Sequence, residues 1–438
     1  MLFRSNNNGI NDACMHELAR SPYFTSLSLG RNELKDNDLA AHDEGPHGNE
    51  HLGNALLKLR ELTYLDLSYN SLQIIYVDIS ERVLRPIIER HGTVVNADDD
   101  NTHPAILLTG NTLNRFVAYV VNYKLAAGMI KMLEHCKSVV DVSFVTCQLE
   151  DADIVHVSSF IGRLRIESLE LTSNKIGDAG AEAIADALPG TVMDKLLLAN
   201  NKLIGIIGVT ALADAIPKSN LATLTLHGTN MGDDGIRALV NVISGSIYYK
   251  TTKWNHPGFR YLGITGTKVT LNGLRELYNA IAARPADGTT FGLEISSLNL
   301  GDSGAKDVAD LLLTSNASSV LHELKIDDNE ITDVGARLIA IAAIGTTKLH
   351  SFRMKNNLIG RSGAEALSAL LRSPRTGRKF KKFEVDGNVG FGKEGEEMLK
   401  QACLDSVELQ TTDFDKGSCK ECCMFCSSQY DLITGYHL

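Results

Sequence analysis

Residues 166–188 read IESLELTSNKIGDAGAEAIADAL, with apolar side chains at Ile166, Leu169, Leu171 and Ile176, then Asn174, Asp178 and Gly180 at fixed offsets. Residues 321–335, LHELKIDDNEITDVG, repeat the pattern position for position as Leu321, Leu324, Ile326, Asn329, Ile331, Asp333 and Gly335. A frame that returns with its spacing intact marks a stack of similar units, so periodicity is settled before single elements are assigned.

Twelve copies can be traced along the chain. The Asn slot holds Asn32, Asn70, Asn111, Asn174, Asn201, Asn329, Asn357 and Asn388, with Cys147, Thr229, Thr267 and Leu298 as departures. Separations of 27, 28 and 31 residues dominate; longer ones of 38, 41 and 38 place insertions near residues 35–52, 76–103 and 244–258, and one of 36 separates Asn111 from Cys147. An insertion in a stacked array becomes a surface loop.

Each slot has a physical task. Alternating apolar residues such as Leu169 and Leu171 predict a short strand with one face inward. Asn both donates and accepts, and so satisfies backbone groups where the chain leaves the strand; Cys and Thr do this in part, and Leu298 cannot. Four residues further on, Asp36, Asp151, Asp178, Asp233, Asp302 and Asp333 are expected to act as helix N-caps. Gly180, Gly235, Gly273, Gly304, Gly335 and Gly363 then allow close packing, and AEAIADAL carries apolar residues at helical spacing. One strand-turn-helix unit cannot bury its own apolar face, so neighbours must stack.

Composition narrows the function classes. The 438 residues are 44% hydrophobic and carry a net charge of -10, which argues against a basic footprint for nucleic acid or an anionic membrane and favours a protein partner. The first residues, MLFRSNNNGINDACMHEL, lack a secretory apolar core, and no run approaches the ~18 apolar residues of a membrane helix. The expected location is the cytosol. Of eight cysteines, Cys14, Cys136, Cys147 and Cys403 are scattered and Cys419, Cys422, Cys423 and Cys426 crowd the end, which is not the spacing of a disulfide framework.

The frame resembles the ribonuclease-inhibitor subtype of leucine-rich repeats, which also occurs in cytosolic immune receptors and Ran GTPase-activating proteins. The resemblance covers roughly residues 8–402 and implies an α/β leucine-rich-repeat solenoid, a horseshoe with a parallel β-sheet on its concave face and helices on its convex face. About 12 repeats would fill residues 1–402, followed by a Cys-containing tail over 403–438. This motif specifies architecture far better than it specifies a partner.

Several segments imitate chemistry. Gly301-Asp302-Ser303-Gly304 looks like a serine-protease nucleophile segment, but sister repeats place Ala179 and Asp234 in the Ser slot, so a capped turn is expected instead. Residues 387–393, GNVGFGK, begin like a phosphate-binding loop, yet Glu394 follows where Ser or Thr must meet Mg²⁺. Cys419-x-x-Cys422-Cys423-x-x-Cys426 has enough thiols for zinc, but its abutting pairs lack the loop between knuckles. S-acylation of this tail and a plain reduced tail stay open. No catalytic constellation, cofactor or metal is expected.

Residues between the inward apolar positions should face the concave wall. Early and middle repeats offer small groups there, such as Ser168, Thr172, Thr223 and Thr225, interrupted by Tyr64 and Tyr261 as anchors. The last three repeats present a charged block: Glu323, Lys325 and Asp327, then Arg353 and Lys355, then Lys382, Glu384 and Asp386. The 244–258 insertion adds Tyr248, Tyr249, Lys250, Lys253 and Trp254, aromatic residues flanked by cations as in interface hot spots. The leading expectation is a non-enzymatic scaffold that grips a folded protein through the concave wall and this insertion. The alternatives are a regulator of a small GTPase, as the Ran GTPase-activating proteins suggest, or an effector that acts on proteins in a host cytosol.

Overall fold

The computed structural model describes residues 140–245, 258–285, 289–373 and 380–408, together with the backbone of six short strands nearer the amino terminus. The chain divides into two compact units, Met1–Leu221 and Ala222–Leu438.

In the first unit, β1 (Leu2–Arg4), β2 (Ser26–Ser28), β3 (Tyr64–Asp66) and β5 (Ile106–Leu107) make a four-stranded parallel sheet in that order. A second parallel sheet runs β4 (Ile74–Tyr76), β6 (Arg115–Tyr119), β7 (Asp141–Val145), β8 (Ser168–Glu170) and β9 (Lys195–Leu197). Helices α1 (Asp151–Ile161), α2 (Asp178–Ala187) and α3 (Ile206–Ala215) follow β7, β8 and β9.

The second unit continues the scheme. Strands β10 (Thr223–Thr225), β11 (Tyr261–Gly263), β12 (Phe291–Glu294), β13 (Leu321–Lys325), β14 (Ser351–Arg353) and β15 (Lys382–Glu384) pair in sequence order, all parallel. Helices α4 (Gly232–Ile243), α5 (Leu271–Ala282), α6 (Gly301–Leu312), the short α7 (Ser315–Val320), α8 (Asp333–Ile344), α9 (Arg361–Arg372) and α10 (Gly392–Glu408) alternate with them. Helix α10 runs on past residue 402, where the repeat frame ends, and carries Cys403, which is buried and disulfide-bonded. The strand-helix alternation is that of a leucine-rich-repeat solenoid.

The frame's apolar slots are the core. Leu224, Leu262, Leu293, Leu324 and Phe352 occupy one register row and are fully buried, as are Leu226, Ile264, Ile295 and Ile326 two residues on. Sealing a Leu or Ile of this kind from water contributes about 1.5–3 kcal/mol, which explains why a strand of only three residues holds its register.

The Asn slot works between repeats. Asn357 Oδ1 accepts from the backbone N–H of Asn329 and Ile331 in the preceding repeat, at 3.0 and 3.1 Å, while its Nδ2 donates to the carbonyls of Ile326 and Lys355. Asn174, Asn201, Asn329 and Asn388 make the same kind of bridge. At the departures the bridge shrinks: Thr229 and Thr267 donate their hydroxyls only to Leu226 and Ile264, three residues back.

Among the described residues the recurring Asp is not the cap of its own helix, and that expectation is corrected; Asp36 lies outside the described residues. Asp178 is the first residue of α2, whose N-cap, Gly177, makes no side-chain cap hydrogen bond. The Asp178 carboxylate instead accepts from the N–H groups of Gly205 and Gly208, at 2.7 and 2.9 Å, at the start of α3 one repeat later. Asp151 serves α2 in this way, Asp302 serves α8 and Asp333 serves α9. The physical purpose, satisfying orphan N–H groups at a helix start, is the expected one, but the donor helix belongs to the neighbour.

Candidate functional site

In the second unit, register aligns the strand residues that point away from the buried leucines. One row runs Thr223, Tyr261, Gly292, Glu323, Ser351 and Lys382, and the next runs Thr225, Gly263, Glu294, Lys325, Arg353 and Glu384. Two residues beyond each of these lie His227, Thr265, Ser296, Asp327, Lys355 and Asp386. Parallel pairing thus gathers ionisable groups that are far apart in sequence.

Two glycines in these rows make room for rings. A Cβ on Gly292 would lie 2.6 Å from Tyr261 Cδ2, and one on Gly263 would lie 2.3 Å from His227 Cε1. Each ring therefore lies down over the glycine of the following strand. The His227 ring is fixed further by the Thr265 N–H, which donates to Nδ1 at 2.9 Å, so Nε2 is left facing Glu294 Oε2 at 3.9 Å.

Glu294 is the hub. Tyr261 Oη donates to its Oε2 at 2.5 Å, Lys325 Nζ stands 3.2 Å from the same oxygen, and Arg353 Nη2 lies 3.4 Å from Oε1. Lys325 also reaches the Tyr261 hydroxyl at 2.9 Å and Glu323 at 3.3 Å, and its ammonium lies 5.2 Å from the centre of the Tyr261 ring. Arg353 pairs through Nε with Asp327. Lys355 then lies 3.4 Å from Glu384 and 3.3 Å from Asp386, and Lys382 lies 3.0 Å from Glu384. The Glu384 carboxylate is sealed from water and meets these ammonium groups at ion-pair distance without an aligned hydrogen bond.

Partial burial sets the protonation states. At Glu294 burial works to raise the pKa, but Lys325, His227, the Tyr261 hydroxyl and Arg353 together hold the carboxyl below its ordinary value. Burial dominates at Asp327 and raises its carboxyl despite Arg353 and Lys355. Burial lowers His227, against the pull of Glu294 and with help from Lys325 and Arg353. The Tyr261 phenol is pushed well above its usual range by burial and by Glu294. At neutral pH the face therefore carries a neutral imidazole, an un-ionised phenol and a lattice of opposed fixed charges.

Of the residues singled out from sequence, Tyr261, Glu323, Lys325, Asp327, Arg353, Lys355, Lys382 and Glu384 all belong to this one network. Tyr64 is the first residue of β3 in the other unit, with its side chain outside the described residues. Tyr248, Tyr249, Lys250, Lys253 and Trp254 also lie outside the described residues, as do most of the 35–52 and 76–103 insertions and the cysteines at 419–426. Glu294 escaped the sequence argument because its repeat has Leu298 in the Asn slot; applying the frame evenly would have placed it between inward-facing Leu293 and Ile295. Among the described residues, no group of three or more His, Cys, Asp or Glu side chains is arranged to hold a metal ion, and no described helix is long and apolar enough to cross a membrane.

The two segments that imitate enzyme motifs have structural explanations. Gly301–Gly304 opens α6, and its Asp302 carboxylate binds Thr332 and Gly335 of the next repeat. Within residues 387–393, Phe391 is buried in the core, and Glu394 pairs with Arg361.

A family model described as a leucine-rich repeat matches residues 166–185 and 317–340. The mouse ribonuclease inhibitor is 25% identical over 217 residues, covering 48% of this chain and 43% of that protein. The pig ribonuclease inhibitor is 23% identical over 233 residues, covering 52% and 48%. The chain thus spans about half the length of the curated relatives it matches. Among solved structures, an internalin from Listeria monocytogenes aligns over 82% of this chain and 80% of its own at 13% identity, with a TM-score of 0.33.

Proposed function

We propose that this chain, a ribonuclease-inhibitor-like leucine-rich-repeat protein, is a non-enzymatic scaffold that grips a folded protein through the exposed sheet face of its second unit and the 244–258 insertion. The observation that carries the proposal is the network around Glu294. Its charges are already fixed by mutual pairing, so a partner with the complementary pattern would meet a surface that needs little ordering on contact. Tyr261 supplies a large ring with a polar tip at the edge of that network, the side-chain type most often found at the energetic centre of interfaces. A lattice of opposed charges also suits discrimination better than bulk attraction, because a partner of the wrong pattern leaves buried charge unpaired.

Affinity capture with the full chain tests this. The intact protein is compared with a Lys325→Gln/Arg353→Gln variant and a Tyr248→Ala/Tyr249→Ala/Trp254→Ala variant, with captured proteins identified by mass spectrometry and each bait checked by thermal melting. The expected outcome is one protein retained by the intact chain and lost from both folded variants. A captured set that neither variant alters would end this reading.

A further inference from the structure

We infer that Arg284 is a positioning residue that ties together the two ends of the 244–258 insertion and so sets how that insertion is presented. This rests on the proposed role of the insertion in partner binding. Arg284 is 5% exposed and lies just past the end of α5, one repeat after the insertion. Its Nη1 donates to the carbonyl of Ile243 at 2.6 Å, and its Nη2 donates to the carbonyl of Phe259 at 3.1 Å. Ile243 is the last residue of α4 and Phe259 comes two residues before β11, so these carbonyls bracket the insertion on either side.

Neighbouring geometry completes a collar. Gly245, at φ +67°, turns the chain out of α4, and Gly258, at φ +73°, turns it back; side chains are rarely tolerated at such angles. A Cβ on Gly245 would meet Pro285 at 3.4 Å, so the residue after Arg284 lies beside the exit point as well. The guanidinium also stacks on the Phe291 ring, 4.8 Å from its centre, which fixes the fork in the core. A planar group held this way can join two carbonyls at a defined separation, whereas an ordinary helix end leaves its carbonyls to water. Phe259 leads directly through Arg260 into Tyr261, so the same collar fixes where the chain enters the charged network.

The test needs no partner, because Trp254 is the sole tryptophan of the chain and reports on the insertion alone. Acrylamide quenching and fluorescence anisotropy of Trp254 are measured on the full chain as wild type, Arg284→Met, Arg284→Lys and Leu324→Ala, alongside thermal melts by circular dichroism. Arg284→Met should raise the quenching constant about twofold and lower the anisotropy below the melting transition, as expected when a local restraint is lost. Arg284→Lys, with one ammonium able to reach one carbonyl, should fall between. Leu324→Ala opens the core of the same unit at β13, where Leu324 is fully buried, and should lower the melting temperature while leaving Trp254 unchanged. The inference is overturned if folded Arg284→Met keeps wild-type quenching and anisotropy, or if Leu324→Ala shifts Trp254 as much. Should Arg284→Met fail to fold, Arg284→Lys carries the same criteria. A Trp254 response combined with unaltered partner capture would count against the binding proposal and leave the collar standing.

Discussion

At the scale of the residue, the Asn slot distinguishes a side chain that holds its own turn from one that holds its neighbour. Asn357, 2% exposed, satisfies two N–H groups of the preceding repeat and two carbonyls, whereas Thr267 reaches only Ile264. Leaving a buried polar group unpaired costs about 1–3 kcal/mol. Asn357→Ala should therefore lower stability by about 2–4 kcal/mol and Thr267→Ala by only about 1 kcal/mol. Urea denaturation of both variants decides the matter, and equal losses would refute the bridging role. Asp302 offers a test in pH. Although burial works to raise it, hydrogen bonds from the Thr332 side chain and from the Thr332 and Gly335 N–H groups hold its carboxyl below the ordinary value of 3.8. A depressed carboxylate contributes stability that is present above the ordinary value and lost as pH falls through the folded one. The stability gap between wild type and Asp302→Asn should thus be full at pH values above 3.8 and shrink below it; a gap that grows on acidification would contradict the assignment.

At the scale of the element, the strand and helix of each described repeat from β7 onward were legible because their apolar spacing is local, whereas β4, β6 and the short α7 fall outside the frame. Leu169, Leu171 and Ile184 declare their inward faces by period alone, and all three are fully buried. The partner of a cap is different. Asp178 looks in sequence like the start of its own helix, and only stacking reveals that the N–H groups it binds lie 27 and 30 residues ahead. The same limit explains the site. Alternation places Glu294, Lys325 and Arg353 alike on the outward face, but that the two cations share the Glu294 carboxylate emerges from register rather than from spacing. Removing a helix cap costs about 0.5–2 kcal/mol. Asp178→Ala should impose that loss and speed amide exchange in the first turn of α3 more than in α2, the helix that carries the mutation. Faster exchange confined to α2 would restore the ordinary cap reading.

At the scale of the molecule, stability in a stacked array is close to a sum of repeat and nearest-neighbour terms. The Asp ladder makes this testable inside the second unit. Asp302 binds Thr332 and Gly335 at the start of α8, and Asp333, the first residue of α8, binds Gly360 and Gly363 at the start of α9. Loosening the start of α8 therefore displaces the residue that caps α9. Asp233 acts at Thr270, ahead of α5, and shares no partner with Asp333. In a double-mutant cycle, Asp302→Ala with Asp333→Ala should couple by about 0.5 kcal/mol or more, whereas Asp233→Ala with Asp333→Ala should add to within about 0.3–0.5 kcal/mol. Such a result would mean that each repeat is held by the one before it, so that a lesion weakens the array at its own junction and the next. Additivity in both pairs would mean that the caps act independently and that the repeats are joined by their apolar rows and Asn bridges alone.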